Sequence, residues 1–189
     1  MRFTRARDGG VQADLAPVEV AVLASAARDL LELLTADEPA GPRDPLEELV
    51  GLSPGARRPE DPALRRLLPD AYRPHGDLDD AAAEAASAEF RRFTDADLRA
   101  GKRARCDAVL ESLAALDAGG RLRLDRDACD AWLGFLTDVR LVLGVRLDVR
   151  DDDGPDPVPE DDPRAQALEV YSWLGWVQES LIMNLSPRT

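Results

Sequence analysis

Two thiols, Cys106 and Cys129, are the side chains in this chain best suited to reversible redox chemistry. Both fall at apolar positions of helical patterns, where free cysteine commonly serves as a small buried hydrophobe. A redox bridge between them would need their Cα atoms within about 7 Å. Arg103 and Arg105 flank Cys106 and would favour its thiolate if the sulfur were exposed. The second chemical cluster is basic. Arg91, Arg92, Arg99, Lys102, Arg103 and Arg105 stand against only Asp95 and Asp97 in residues 91–105. Helical spacing predicts Arg99 and Arg103 on one outward face. Such a face could receive an acidic protein partner, or nucleic acid with a hairpin beside it as a wing. The plain alternative is a solvated helix face with an Arg103–Asp107 pair, which is worth little.

Other motifs carry less. Gly51-Leu52-Ser53-Pro54-Gly55 spells GxSxG. A nucleophile elbow needs a strand before the serine and a helix after it. Here residues 45–50 read as a helix, so Ser53 is expected in a loop. Asp151, Asp153 and Glu160 around Gly154 resemble part of a calcium loop. Val149 would take the first ligand position, and three prolines interrupt the segment, so a solvated acidic loop over 148–162 is the expectation. The single histidine, His75, is too few for a zinc site or a two-histidine iron site. Trp132, Trp173 and Trp176 sit at helical spacing and read as core; one left exposed would suggest an interface anchor. Tyr72 and His75 read as a packed surface loop. No catalytic residue, metal site or cofactor is expected. An enzyme built on carboxylates or an acid-held metal would need several acids converging in one cleft.

The elements that must position these residues are mostly helical. Residues 1–15 predict a hairpin: Val11, Ala13 and Leu15 alternate with polar residues after an Asp8-Gly9-Gly10 turn. Apolar stripes predict main helices over 17–35, 79–93, 95–116, 127–147 and 163–185. Thr94-Asp95-Ala96-Asp97 reads as a cap that separates the second from the third. In the third, Leu98, Cys106, Val109, Leu113 and Leu116 are expected inward. Asp44-Pro45, Asp61-Pro62 and Asp162-Pro163 each read as a helix entry. The first two open short helices over 45–50 and 62–68. Residues 121–124 alternate and could add a strand to the hairpin. The expected fold is a mainly α, helical-bundle-like single domain over 1–189 with a small antiparallel N-terminal sheet.

Composition narrows the setting. The chain has 189 residues and a net charge of −13, with a pI near 4.5. That disfavours a general polyanion binder, which needs a surplus of Arg and Lys. No apolar run has the length of a signal peptide core or a membrane span, so a cytoplasmic protein is expected. Oligomeric state is not legible.

Several stretches together resemble an actinobacterial family first catalogued as a domain of unknown function. They are Asp61-Pro-Ala-Leu, Leu67-Leu-Pro-Asp-Ala-Tyr72-Arg73, Ala88-Glu-Phe90-Arg91-Arg92-Phe-Thr94, Asp138-Val-Arg140-Leu-Val-Leu-Gly144 and Val170-Tyr-Ser-Trp173-Leu-Gly-Trp176-Val-Gln178-Glu179. Members of that family are encoded beside the Clp-protease adaptor and are labelled oxidative-stress regulators. The resemblance implies action through the transcription machinery with a cysteine-based redox response. The reading is therefore a non-enzymatic regulator that binds a protein partner, such as a sigma factor. Arg91, Arg92, Arg99, Lys102 and Arg103 are its contact candidates, and Cys106 and Cys129 its redox candidates. Direct DNA binding is the runner-up, and carboxylate- or metal-dependent catalysis the third reading.

Overall fold

The computed structural model describes residues 1–6, 9–36, 57–72, 79–149, 158–159 and 161–185. The expected helix over 45–50, the GxSxG segment, His75, and most of the acidic loop lie outside the described residues.

The hairpin forms as its residues require. Strand β1 (Thr4–Arg5) pairs antiparallel with β2 (Val11–Asp14). Gly9 turns the chain with a φ of 89°, a conformation that glycine adopts without penalty. Val11 and Ala13 face inward, while Asp14 is exposed. Strand β3 (Arg121–Leu124) completes the sheet in the order β1-β2-β3, with Val11 opposite Leu124 and Ala13 opposite Leu122. That register puts the apolar residues of both strands on one face, which makes the third strand stabilising. Gly120 leads into β3 at a φ of 74°, and its carbonyl accepts from the Leu15 amide at 2.9 Å.

Five helices accompany the sheet among the described residues. Helix α1 (Pro17–Ala36) buries Leu23, Ala27, Leu30 and Leu34, one stripe at helical spacing. Helix α2 (Pro62–Leu67) begins at its Asp-Pro signal, where the Asp61 carboxylate accepts from the amides of Ala63 and Leu64. Helix α3 (Asp80–Ala114) is capped by Asp79, which accepts from the Ala82 amide at 2.8 Å. Helix α4 (Arg126–Arg146) is capped by Asp125 and packs against α1, α2, α3 and α5. Helix α5 (Ala165–Leu185) follows Asp162, whose side chain accepts from the Arg164 amide at 2.7 Å.

Two expectations for α3 need correction. The chain does not break at residue 94; α3 is one helix of 35 residues. The Thr94 hydroxyl donates back to the Phe90 carbonyl at 3.0 Å, and Asp95 accepts from Arg99, so neither caps a new turn. Leu98 is also not inward: it is exposed, and Arg99 takes the buried position.

The core is one apolar cluster. Trp132 lies at its centre, with Phe3 and Phe135 each set edge-on to it at 6.1 and 6.4 Å. No described helix is long and apolar enough to cross a membrane.

Candidate functional site

The basic run is where sequence and structure part most clearly. Arg99 is buried, with Nε donating to Asp95 at 2.7 Å and a terminal nitrogen donating to the Leu34 carbonyl at 2.8 Å. Arg103 reaches the same carbonyl at 3.1 Å. Leu34 lies in the last turn of α1, where carbonyls lack helical partners and the helix dipole is negative, so two guanidinium groups satisfy that end. The expected outward face of Arg99 and Arg103 is therefore an inward clamp between α1 and α3. Arg91 is buried as well, held by Asp70 and by Glu84 at 2.8 Å. Lys102 donates to Asp138 at 2.6 Å, and Arg105 stands 3.6 Å from the other oxygen of that carboxylate. Of the five contact candidates, Arg92 is the exposed one. Truncation of Arg99 to alanine is expected to cost about 2 kcal/mol of folding stability, the range for a lost hydrogen bond to a charged group. A urea midpoint equal to the wild type would refute the clamp.

The thiols are equally internal. Cys106 and Cys129 are free and fully buried in the core. Burial pushes the Cys106 thiol up to about 12, with Asp138 and Asp107 adding to the rise. Burial likewise raises Cys129, to about 11. Lys102 and Arg105 act in the opposite direction at Cys106, and burial outweighs them. Both cysteines sit as small buried hydrophobes, and the exposure on which a thiolate at Cys106 depended is absent.

What faces outward instead is aromatic. Phe90 and Phe93 project from α3 at 44% and 55% exposure. Tyr72 sits edge-on to Phe90, with ring centroids 6.2 Å apart. The Tyr72 backbone is fixed by Ser87: its amide donates to the Ser87 hydroxyl at 3.1 Å, and its carbonyl accepts from that hydroxyl at 3.2 Å. Separately, Arg57, Arg58 and Arg92 border an open depression of about 740 Å³ with Glu84 and Glu89, and Arg58 is paired with Asp70 at 3.0 Å. Aromatic rings and arginines are the residue types that dominate protein-binding energies. In the sequence Tyr72 reads as part of a packed surface loop, and Phe90 and Phe93 are not singled out as a surface because they lie in a polar stretch of α3; their i,i+3 spacing is the available signal. Trp132 is core and Trp173 packs against it, whereas Trp176 is 46% exposed, beside Arg2 and Met183.

Among the described residues no group of three or more His, Cys, Asp or Glu side chains could hold a metal ion. The profile of the domain of unknown function DUF2017 matches residues 1–185. The chain belongs to the DUF2017 family. It is 38% identical over 187 residues to the oxidative stress regulator AosR of Mycobacterium tuberculosis, covering 95% of this chain and 84% of that protein. The same figures hold for the AosR of Mycobacterium bovis. A Mycobacterium leprae relative, provisionally given the same name, is 40% identical over 177 residues, covering 90% of this chain and 80% of that one. No solved structure matches. The actinobacterial family suggested by the sequence is therefore the right one, and its named relatives support a regulatory role for this DUF2017 member.

Proposed function

We propose that this protein is a cytoplasmic, non-catalytic regulator of the oxidative-stress response that works by capturing a protein of the transcription machinery, such as a sigma factor. The observation that carries this reading is the pair of exposed rings Phe90 and Phe93 on α3, with Tyr72 edge-on to Phe90 and Arg92 exposed on the same helix. Exposed rings backed by a rigid helix lose little conformational freedom on binding, and arginine adds bidentate pairing to partner carboxylates. The names of its relatives supply the stress context. Direct DNA binding draws less support. Arg91, Arg99, Lys102 and Arg103 are committed to acceptors inside the fold, which leaves α3 few cations for phosphates.

The test is affinity capture from the native cell, with and without oxidant, using the wild-type chain and variants Phe93→Ala and Arg92→Ala. Both side chains are exposed, so folding should be unaffected. Partner yield is expected to fall at least about tenfold, a loss near 1.4 kcal/mol. Equal yield from all three chains would refute the patch.

A further inference from the structure

On another side of the molecule, α1, α4 and α5 leave an apolar furrow between them. Val22, Ala26 and Leu33 of α1 line it with Val142 and Leu143 of α4 and Val170 of α5, around about 400 Å³. Past Val22 and Val170 it continues toward Val18 and Trp173. Val18 is 68% exposed. The α1 edge from Val18 to Leu33 spans fifteen steps of about 1.5 Å, roughly 22 Å in all. That is the length of a helix of about 15 residues.

The charges along the furrow select its occupant. Asp29 of α1 and Glu169 of α5 stand exposed on its rim. Glu19 is neutralised by the N-terminal amine, and Arg146 at the far end is taken by Asp61 at 2.7 Å. The rim charge left over is acidic. A second copy of this chain would bring the same acids against it, and a fatty carboxylate would meet like charge. A helix with an apolar stripe and basic flanks meets both requirements.

We infer that the furrow between α1, α4 and α5 is a docking groove for one amphipathic, lysine- or arginine-flanked helix of a protein partner. This rests on the reading of the protein as a partner-binding regulator. Its test uses no cellular partner, so its failure would leave the α3 patch standing.

The probe is a fluorescein-labelled synthetic helix of about 15 residues with leucines at i, i+3, i+4, i+7 and i+11 and lysine flanks. A twin carries glutamate flanks. Fluorescence anisotropy with the full chain should show saturable binding of the lysine peptide and at least about tenfold weaker binding of the twin. The double variant Asp29→Lys/Glu169→Lys should invert that order without moving the thermal midpoint, because both side chains are exposed. Val22→Glu should abolish binding of both peptides. Equal binding of the twins, no inversion in the double variant, or no binding at all would overturn the inference. So would a doubled solution mass by light scattering that Val22→Glu returns to that of a single chain.

Discussion

Replacement of Lys102 by alanine is expected to destabilise the fold by about 3–5 kcal/mol, the largest loss anticipated for a charged residue here. Asp138 is 3% exposed and sits on α4 among apolar neighbours. One of its oxygens accepts from the Lys102 ammonium at 2.6 Å. The other has no hydrogen-bond partner and sees only the Arg105 guanidinium at 3.6 Å. Removal of the ammonium leaves a buried carboxylate with one distant cation, and a stranded buried charge costs more than a lost surface pair. For a chain of this size the thermal midpoint should drop by roughly 10 °C. Addition of Asp138→Asn to the alanine variant should recover much of the loss, because it removes the stranded charge. A double-mutant cycle by urea denaturation measures this directly. A single Lys102→Ala variant within about 1 kcal/mol of the wild type would refute the account.

The same pair shows which parts of the fold were legible. The start of α2 was readable because Asp61 caps it through its own side chain, a local interaction, while Asp79 and Asp125 cap α3 and α4 within two residues of the expected starts at 79 and 127. The hairpin and β3 were readable from alternation. The inward arginines were missed for two reasons. Their acceptor is the Leu34 carbonyl, a backbone group on another helix that no residue type announces. The periodicity did announce the direction, since positions 99, 102, 106, 109 and 113 follow each other at spacings of three and four. That stripe holds Arg99, Lys102, Cys106, Val109 and Leu113, which are buried or half-buried. Treating charge as outward by default shifted the stripe by one residue and placed Leu98 inside. The expected cap at Thr94 failed similarly, because a cap signal offers a helix start but does not compel one when the backbone can continue. For the site, charge was visible and commitment was not. The sequence counts cations but does not say which are already paired, and the exposed rings that remain hide within a polar segment.

The buried thiols lead to the second large effect. At about pH 8 the folded chain is expected to resist iodoacetamide, while the urea-unfolded chain reacts fully. Only the thiolate attacks, so raising Cys106 from 9.0 to about 12 cuts its reactive fraction roughly 1000-fold. The rise of Cys129 to about 11 cuts its fraction roughly 100-fold. Exclusion of the reagent from the core multiplies both factors. Intact-mass spectrometry over time reads the result, and labelling of the folded chain within about tenfold of the unfolded rate would refute it. The pH dependence follows the same shifts. The native state holds both protons more tightly than the unfolded state, so this stabilisation is complete below the unfolded value of 9.0. It is lost as pH rises from there through the folded values of about 11 and about 12. Urea midpoints should therefore decline on the alkaline side, and serine at either position should shallow that decline. The consequence for stress sensing is direct. An oxidant can reach Cys106 or Cys129 only when the helices around them open, so any thiol response of this protein is paced by local unfolding. A variant that loosens the Lys102–Asp138 pair beside Cys106 should then oxidise faster, whatever the reagent.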